Sequence, residues 1–378
     1  MLAIQRLTIH QLRGLRDLDL PGLGRFNVLV GLNNSGKTTV LEAVALYSRP
    51  LRPSEWVEVA RRRDVTYSRA AILEGLRWLF PQREGSGADS SPPFQESIRL
   101  TGEGRFAVRE ATARLKELEG FFDEADTSQP GLPDLGHENG GTRRGAELEL
   151  RALVEAQKPD LFGAAPLREE SFPVVLWETG RGPIAQNSSG PALPVATITP
   201  FSHRVQQLEV EAFSDAIFAD LKPTVLDLVR IFDPGIQDFE VLKRPRSEPA
   251  VYVRHARLGK APLSTFGDGM RRVLLMGVSL ATARGGVLLV DEIESAIHAE
   301  ALDAAFRWLQ RVCRQLDVQL FTTTHSIEAV DALLAASEGA EELVVYRLER
   351  KGDRTRAKRF PNDQLRVLRE ELGQEIRV

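Results

Sequence analysis

Gly31-Leu32-Asn33-Asn34-Ser35-Gly36-Lys37-Thr38-Thr39 is the stretch whose reading decides the fold. It fits G-x-x-x-x-G-K-[ST], the spacing of a phosphate-binding loop. Upstream, Phe26-Asn27-Val28-Leu29-Val30 is a short apolar run of strand type. Downstream, Thr39 to Leu46 has apolar residues three and four apart, the spacing of a helix. Strand, glycine loop and helix, in that order, bring successive backbone N–H groups to the helix N-terminus, where they form a nest for a polyphosphate. Gly31, Asn33, Asn34, Ser35, Gly36, Lys37, Thr38 and Thr39 are therefore the expected nucleotide-binding set. Lys37 would reach the β- and γ-phosphates, and the Thr38 hydroxyl would ligate Mg²⁺. The alternative is a glycine-rich turn between strand and helix without a ligand. The Gly-Lys-Thr ending and both flanks argue against it.

Composition sets outer limits. With 378 residues, 42% hydrophobic and 27% charged, the chain has the make-up of a globular protein with a sizeable core. A net charge of −4 gives no global attraction to nucleic acid, so any DNA contact must come from a local basic patch. The lone cysteine, Cys313, excludes an internal disulfide framework and sits in a helical pattern, which favours core packing over catalysis. No apolar run reaches the roughly 18 residues of a membrane helix. The N-terminus alternates like a strand and lacks a signal-peptide core, so a cytoplasmic location is expected.

Three segments follow from the pattern along the chain. Residues 1–85 read as strands, the phosphate loop, a helix from about Lys37 to Ser48, and further helix through Ala70–Phe80. Residues 86–200 read as an inserted, strand-rich lobe with loop compositions at 83–91 and 126–142. Its expected strands are Ser97–Thr101, Arg105–Arg109, Ala146–Leu153, Pro173–Glu178 and Val195–Thr199. Within it, Ala111–Leu118 is open between strand and helix. Residues 201–378 return to helical spacing, with Pro223 separating two helices, and then alternate strand and helix. That alternation implies an α/β fold with a parallel sheet covered on both faces.

Three further motifs lie in the last segment. Val287-Leu288-Leu289-Val290-Asp291-Glu292 is an apolar strand ending in two carboxylates. It would deliver Asp291 to Mg²⁺ and Glu292 to the attacking water as general base, at the sheet edge that carries the phosphate loop. Phe321-Thr322-Thr323-Thr324-His325-Ser326 repeats the geometry, placing His325 where it would sense a γ-phosphate. Ser264-Thr265-Phe266-Gly267-Asp268-Gly269 precedes an apolar helix and reads either as a second anion-binding helix start or as a plain capping turn by Ser264 or Thr265. One triphosphate does not need two such starts. Ser264, Gly267 and Gly269 would therefore serve a nucleotide held by another subunit.

Taken together, these motifs resemble the ABC-type ATPase heads of the RecF, SMC and OLD families. The order of phosphate loop, signature, acidic pair and switch His matches, and Asp291-Glu292-Ile293-Glu294-Ser295-Ala296-Ile297-His298 looks like the OLD-type acidic motif running into a dimer contact. The resemblance covers about residues 1–50 and 200–378. It implies a P-loop ATPase that uses ATP and Mg²⁺, forms an ATP-dependent homodimer, and drives a separate effector such as a nuclease or toxin in DNA maintenance or anti-phage defence. The catalytic set it implies is Lys37, Glu292 and His325. The chain departs from the pattern in two ways. No heptad run announces a coiled coil, and about fifty residues follow His325, too few for the Toprim nuclease domain of OLD proteins. The Q-loop has only weak candidates in Gln206 and Gln207. Arg13, Arg16, Arg271, Arg272 and Arg61-Arg62-Arg63 are the cations considered for DNA or phosphate, most of them expected to be solvated surface groups. Two rival readings are the ATPase subunit of a membrane transporter and a nucleotide-gated scaffold with little turnover. The long insertion and the Ser-Thr-Phe-Gly-Asp-Gly signature argue against the first, and Glu292 against the second.

Overall fold

The computed structural model describes residues 1–62, 69–82, 94–121, 142–156, 166–178, 189–205, 213–214, 216–217, 220–243, 248–337, 339, 342–352 and 354–377. The loop compositions at 83–91 and 126–141, together with Arg63, Gln206 and Gln207, lie outside the described residues.

Two six-stranded sheets form the frame. The first is antiparallel, in the order β2-β1-β4-β5-β6-β7. Its strands are β1 (Arg6–Leu12), β2 (Leu15–Pro21), β4 (Gln95–Glu103), β5 (Val108–Phe121), β6 (Thr142–Glu155) and β7 (Leu167–Trp177). Residues alternate in and out: Leu7, Ile9, Leu100, Ala113, Leu148 and Leu150 face the core, and Arg99, Arg114 and Arg151 face solvent. The open stretch at 111–118 is strand, because its period-2 apolar face, Ala111, Ala113 and Leu115, is buried against this core.

The second sheet runs β15-β14-β3-β13-β12-β8. It contains β3 (Phe26–Val30), β8 (Val195–Ile198), β12 (Val287–Val290), β13 (Gln319–Thr323) and β14 (Leu343–Lys351), all parallel, with β15 (Arg354–Pro361) antiparallel at the edge. Its central strands are near-continuous apolar runs because both faces are covered. The expectation that 195–199 belongs with the inserted strands is corrected here. Val195–Ile198 pairs in parallel with β12, in register from Val287 to Val290, which buries Val195 in one core and Ile198 in the other.

Helix α1 (Lys37–Ser48) packs against both sheets and is buried on nearly all sides, so the run Val40 to Tyr47 is apolar apart from Glu42, which is paired with Arg13. Helices α2 (Pro53–Arg61) and α3 (Arg69–Arg77) follow it. After the short α4 (Ser202–Val205), Pro223 stands in the first turn of α5 (Lys222–Phe232), where its missing N–H costs nothing. A three-stranded sheet, β9 (Ile236–Leu242), β10 (Ala250–His255) and β11 (Gly259–Pro262), leads into α6 (Asp268–Thr282). Helices α7 (Ala299–Gln315), α8 (Ile327–Ala336) and α9 (Asn362–Arg366) follow, and a π-helical turn over Val367–Glu371 continues α9. The apolar faces of α5 to α8 close the other side of the central sheet. Cys313 lies in that core, and burial pushes its thiol up to about 12.

Buried amides join the layers. Gln319 accepts from Ile4 N and donates to the carbonyls of Ile4 and Gly24, and Asn27 holds both backbone groups of Gly24. Each side chain satisfies groups that burial would otherwise strand. The N-terminal strand is thereby fixed against the base of the central sheet.

Candidate nucleotide-binding site

The parallel strands β3, β13, β12 and β8 share a register, so their C-terminal ends, and the turns after them, gather at one edge. Ligands of open parallel sheets bind at that edge. The phosphate loop leaves β3 there. Gly31 has φ 140° and Gly36 φ 96°. A Cβ at Gly31 would fall 2.6 Å from the Leu348 carbonyl oxygen, and one at Gly36 would fall 2.6 Å from Leu15 Cδ2. The loop thus needs glycine for its conformation and for the close approach of β14 and of the β1–β2 turn. Gly36 caps α1 without a side-chain hydrogen bond, which leaves the first helical N–H groups to a ligand. Lys37 Nζ donates to the carbonyls of Gly31 (2.8 Å) and Leu32 (3.0 Å). Burial lowers its pKa, opposed by the charges of Asp291, Glu292 and Glu294.

Two strands away, β12 ends at Val290 and the chain turns through Asp291 and Glu292. Thr38 Oγ1 donates to Asp291 Oδ2 at 3.1 Å, across 253 residues of sequence. Thr323 Oγ1, at the end of β13, donates to Asp291 Oδ1 (2.6 Å) and accepts from the Glu292 backbone N–H (2.8 Å). Glu292 adopts φ 50°, the left-handed region that a non-glycine residue enters only when its surroundings hold it there. Arg272, on α6 and fully buried, is part of that hold. It donates to the carbonyls of Thr199 (2.9 Å), Asp291 (2.9 Å) and Glu292 (2.6 Å). Burial pushes its pKa down to about 10, against the pull of Glu292, Glu294 and Asp291.

His325 follows β13, exposed, between Thr323 and the helix cap Ser326. Ser326 Oγ accepts from Ala329 N (3.0 Å), which starts α8 immediately after the histidine and holds it at the sheet edge. The His325 backbone N–H donates to Glu294 Oε1 (2.9 Å).

A cavity of about 1420 Å³ opens over this edge. Its walls include Asn33, Asn34, Ser35, Gly36, Lys37, Thr38, Thr39, Asp291, Glu292 and His325, so most of the sequence-derived set converges on one space. Gly31 backs the loop rather than lining the cavity. Ser264, Gly267 and Gly269 do not line it either. Ser264 and Thr265 form a 3₁₀ turn, Gly267 caps α6, and neither hydroxyl residue caps the helix, so the plain capping-turn reading fails. Ser264 and Gly267 are exposed. A Cβ at Gly269 would meet the Ala296 carbonyl oxygen at 2.5 Å, so this glycine serves close packing against the acidic loop.

The arginines considered for DNA or phosphate are largely consumed within the chain. Arg13 pairs with the buried Glu42 at 2.8 Å, and Arg62 with Glu55 at 3.2 Å. Arg16 donates to the carbonyls of Arg13 and Leu15, and Arg271 stands 3.7 Å from Asp268. Arg272 is the clearest correction: it is a buried clamp on the acidic loop, because its guanidinium reaches the carbonyls of Thr199, Asp291 and Glu292 together, adding to the backbone N–H groups of Ser202 and Ser295 at the first and last of these. Sequence reading missed Thr323 as the bridge between Asp291 and the Glu292 backbone. Its position, two residues before His325 at a strand end, was the available signal.

The nucleoside triphosphate and Mg²⁺ implied by the sequence fit these residues. Among the described residues no group of three His, Cys, Asp or Glu side chains forms a metal cage. The donors available are one hydroxyl, Thr38, and one carboxylate, Asp291, in mutual contact. Such a sparse oxygen set suits Mg²⁺, which takes its remaining ligands from phosphate and water.

Comparison with known proteins agrees with this architecture. Residues 184–331 match the family described as "AAA domain, putative AbiEii toxin, Type IV TA system". The chain is 31% identical over 113 residues to the uncharacterized protein MJECL11 of Methanocaldococcus jannaschii, a match spanning 29% of this chain and 98% of that protein. It is 44% identical over 43 residues to the DNA replication and repair protein RecF of Cellvibrio japonicus, or 11% of this chain and 12% of RecF. Among solved structures it is similar to an Smc head domain with an extended coiled coil, bound to the C-terminal domain of ScpA, from Pyrococcus furiosus. There the TM-score is 0.50 at 10% identity, over 99% of this chain and 100% of the other. The fold is that of the SMC-head P-loop ATPases.

Proposed function

The chain belongs to the family of the uncharacterized M. jannaschii protein MJECL11, and from that premise and the site geometry we propose an ATP-hydrolysing head that closes as a homodimer around two nucleotides. The observation that carries this reading is the contact between Thr38, in the first turn of α1, and Asp291, just past the end of β12, 3.1 Å apart. It joins the phosphate loop and the acidic pair into one site.

In this reading the open N–H groups of α1 and the Lys37 ammonium hold the phosphates. Thr38 and Asp291 hold Mg²⁺, which when bound neutralises charge on the phosphate oxygens. Glu292 lines the cavity and forms no ion pair with a described residue, so its carboxylate is available to accept a proton. The attacking water's oxygen bonds to the γ-phosphorus, its proton passes to Glu292, and the bond to the β-bridging oxygen breaks to release ADP. Thr323 and Arg272 are positioning residues that fix the backbone from which Glu292 projects. His325 stands where it would sense the γ-phosphate. Ser264, Gly267 and Gly269 complete the site of the partner copy, a role supported by their separation from this chain's own cavity. Closure and opening of the dimer would then gate a separate effector, a nuclease or a toxin, in DNA maintenance or anti-phage defence.

Glu292→Gln tests the mechanism. It should keep ATP binding, lose turnover and accumulate an ATP-bound dimer by size-exclusion chromatography. Wild-type turnover in that variant would sink the assignment.

A further inference from the structure

The net charge of the chain demands a local basic patch for any nucleic-acid contact, and the arginines singled out from the sequence are mostly spent internally. The hairpin of β14 and β15 supplies such a patch. Between residues 347 and 359 there are seven Lys or Arg and two carboxylates, a net of +5 in a chain of net −4.

The register sorts these charges by face. Arg347 pairs opposite Lys358, Glu349 opposite Arg356, and Lys351 opposite Arg354, so five cations and one carboxylate share one face. Glu349 is engaged by Arg347, and Lys351, Arg354, Arg356 and Lys358 are exposed and form no ion pair among the described residues. The opposite face carries Leu348 and Tyr346 into the core, and further out Arg350 and Thr355 into the nucleotide cavity. Beyond Arg347, which pairs with Val30, the hairpin runs past the end of β3 and stands beside the phosphate loop.

A basic edge strand has a simpler purpose, which is to prevent edge-to-edge pairing of sheets. Edge protection does not require charges of one sign. The solvent face of the antiparallel sheet mixes signs throughout, with Arg99 on Glu110 and Arg151 on Glu149 and Glu169. Cations two apart along β15 are about 6.8 Å apart, or about two nucleotides of rise along one strand of a duplex.

We propose that the solvent face of the β14–β15 hairpin, with Lys351, Arg354, Arg356 and Lys358, binds the phosphodiester backbone of a nucleic acid. The ligand class rests on the DNA-linked role proposed above; the surface does not. The hairpin carries the polyanion on one face and borders the nucleotide on the other.

The test uses the full chain, a fluorescently labelled DNA duplex and an RNA duplex of equal length, with binding read by anisotropy across a salt series. Wild type should bind with a steep salt dependence, losing about a hundredfold between 50 and 200 mM salt if four phosphates are neutralised. Arg354→Gln/Arg356→Gln/Lys358→Gln should weaken binding roughly a hundredfold and flatten the salt slope by about 3. Preference between the two duplexes identifies the source of the backbone. ATP binding, measured separately, should be unchanged in the triple variant, so a failed ATPase reading and a failed surface assignment give different results. Equal affinity and slope in wild type and variant, or a hairpin that holds an acidic protein but neither duplex, overturns the proposal.

Discussion

The two six-stranded sheets handle charge in opposite ways. The antiparallel sheet has one face in water, and there its charges alternate and pair at close range, as in Arg6 with Asp19 (2.8 Å) and Arg99 with Glu110 (2.7 Å). The central strands of the second sheet are covered on both faces, so they cannot carry charge along their length. Its polar chemistry is displaced to the strand ends, with Lys37, Asp291, Glu292 and His325 at one edge and the predominantly basic hairpin beside them. The first arrangement is a solvated surface with little energy in any one pair. The second concentrates uncompensated groups where a ligand can meet them.

This contrast can be broken by mutation, and the effects should fall in a definite order. Glu292→Gln removes the acceptor for the water's proton and should lower ATP turnover by about 10²- to 10⁴-fold in a phosphate-release assay, with affinity kept. Lys37→Ala removes a charge-assisted contact to phosphate and should weaken ATP binding by about a hundredfold, measured by calorimetry. The hairpin triple variant should cost nucleic-acid affinity on a similar scale while leaving both ATP readouts intact. Arg272→Met removes a buried donor from three carbonyls of the site and should lower stability by about 1–3 kcal/mol in denaturant unfolding. Arg272→Lys should restore only part of it, because one ammonium cannot reproduce the guanidinium fork. Arg99→Ala, on the paired face, should cost under about 1 kcal/mol, and less as salt is added. If Arg99→Ala were as disruptive as Arg272→Met, the distinction between the two sheets would be void.

What a single sequence can state is what depends on neighbours in the chain. The nonapeptide 31–39 specifies its own turn, because glycine at 31 and 36 and a following helical pattern suffice to define it. Helix α1, the apolar strand before Asp291 and the helix over Ala299–Gln315 follow from local periodicity in the same way. The pairing of the phosphate loop with the acidic pair was also inferable, since apolar strands ending in polar groups belong to one edge of a parallel sheet.

Contacts between distant segments were decided only by tertiary structure. Arg272 looked like a surface cation until α6 packed it beneath Thr199, Asp291 and Glu292. Thr323 is an ordinary strand residue until β13 lies beside β12. Val195–Ile198 reads as one more strand of the insertion, and its place next to β12 depends on which sheet can cover both its faces. The tail reads as a strand, a turn and a basic return strand, and the gathering of five cations from both strands on a single face exists only once the hairpin register is fixed. Local pattern sets backbone conformation through sterics and periodicity. The partner of a buried or cross-strand group is set by packing, which sums over the whole chain and leaves no mark on the residue itself.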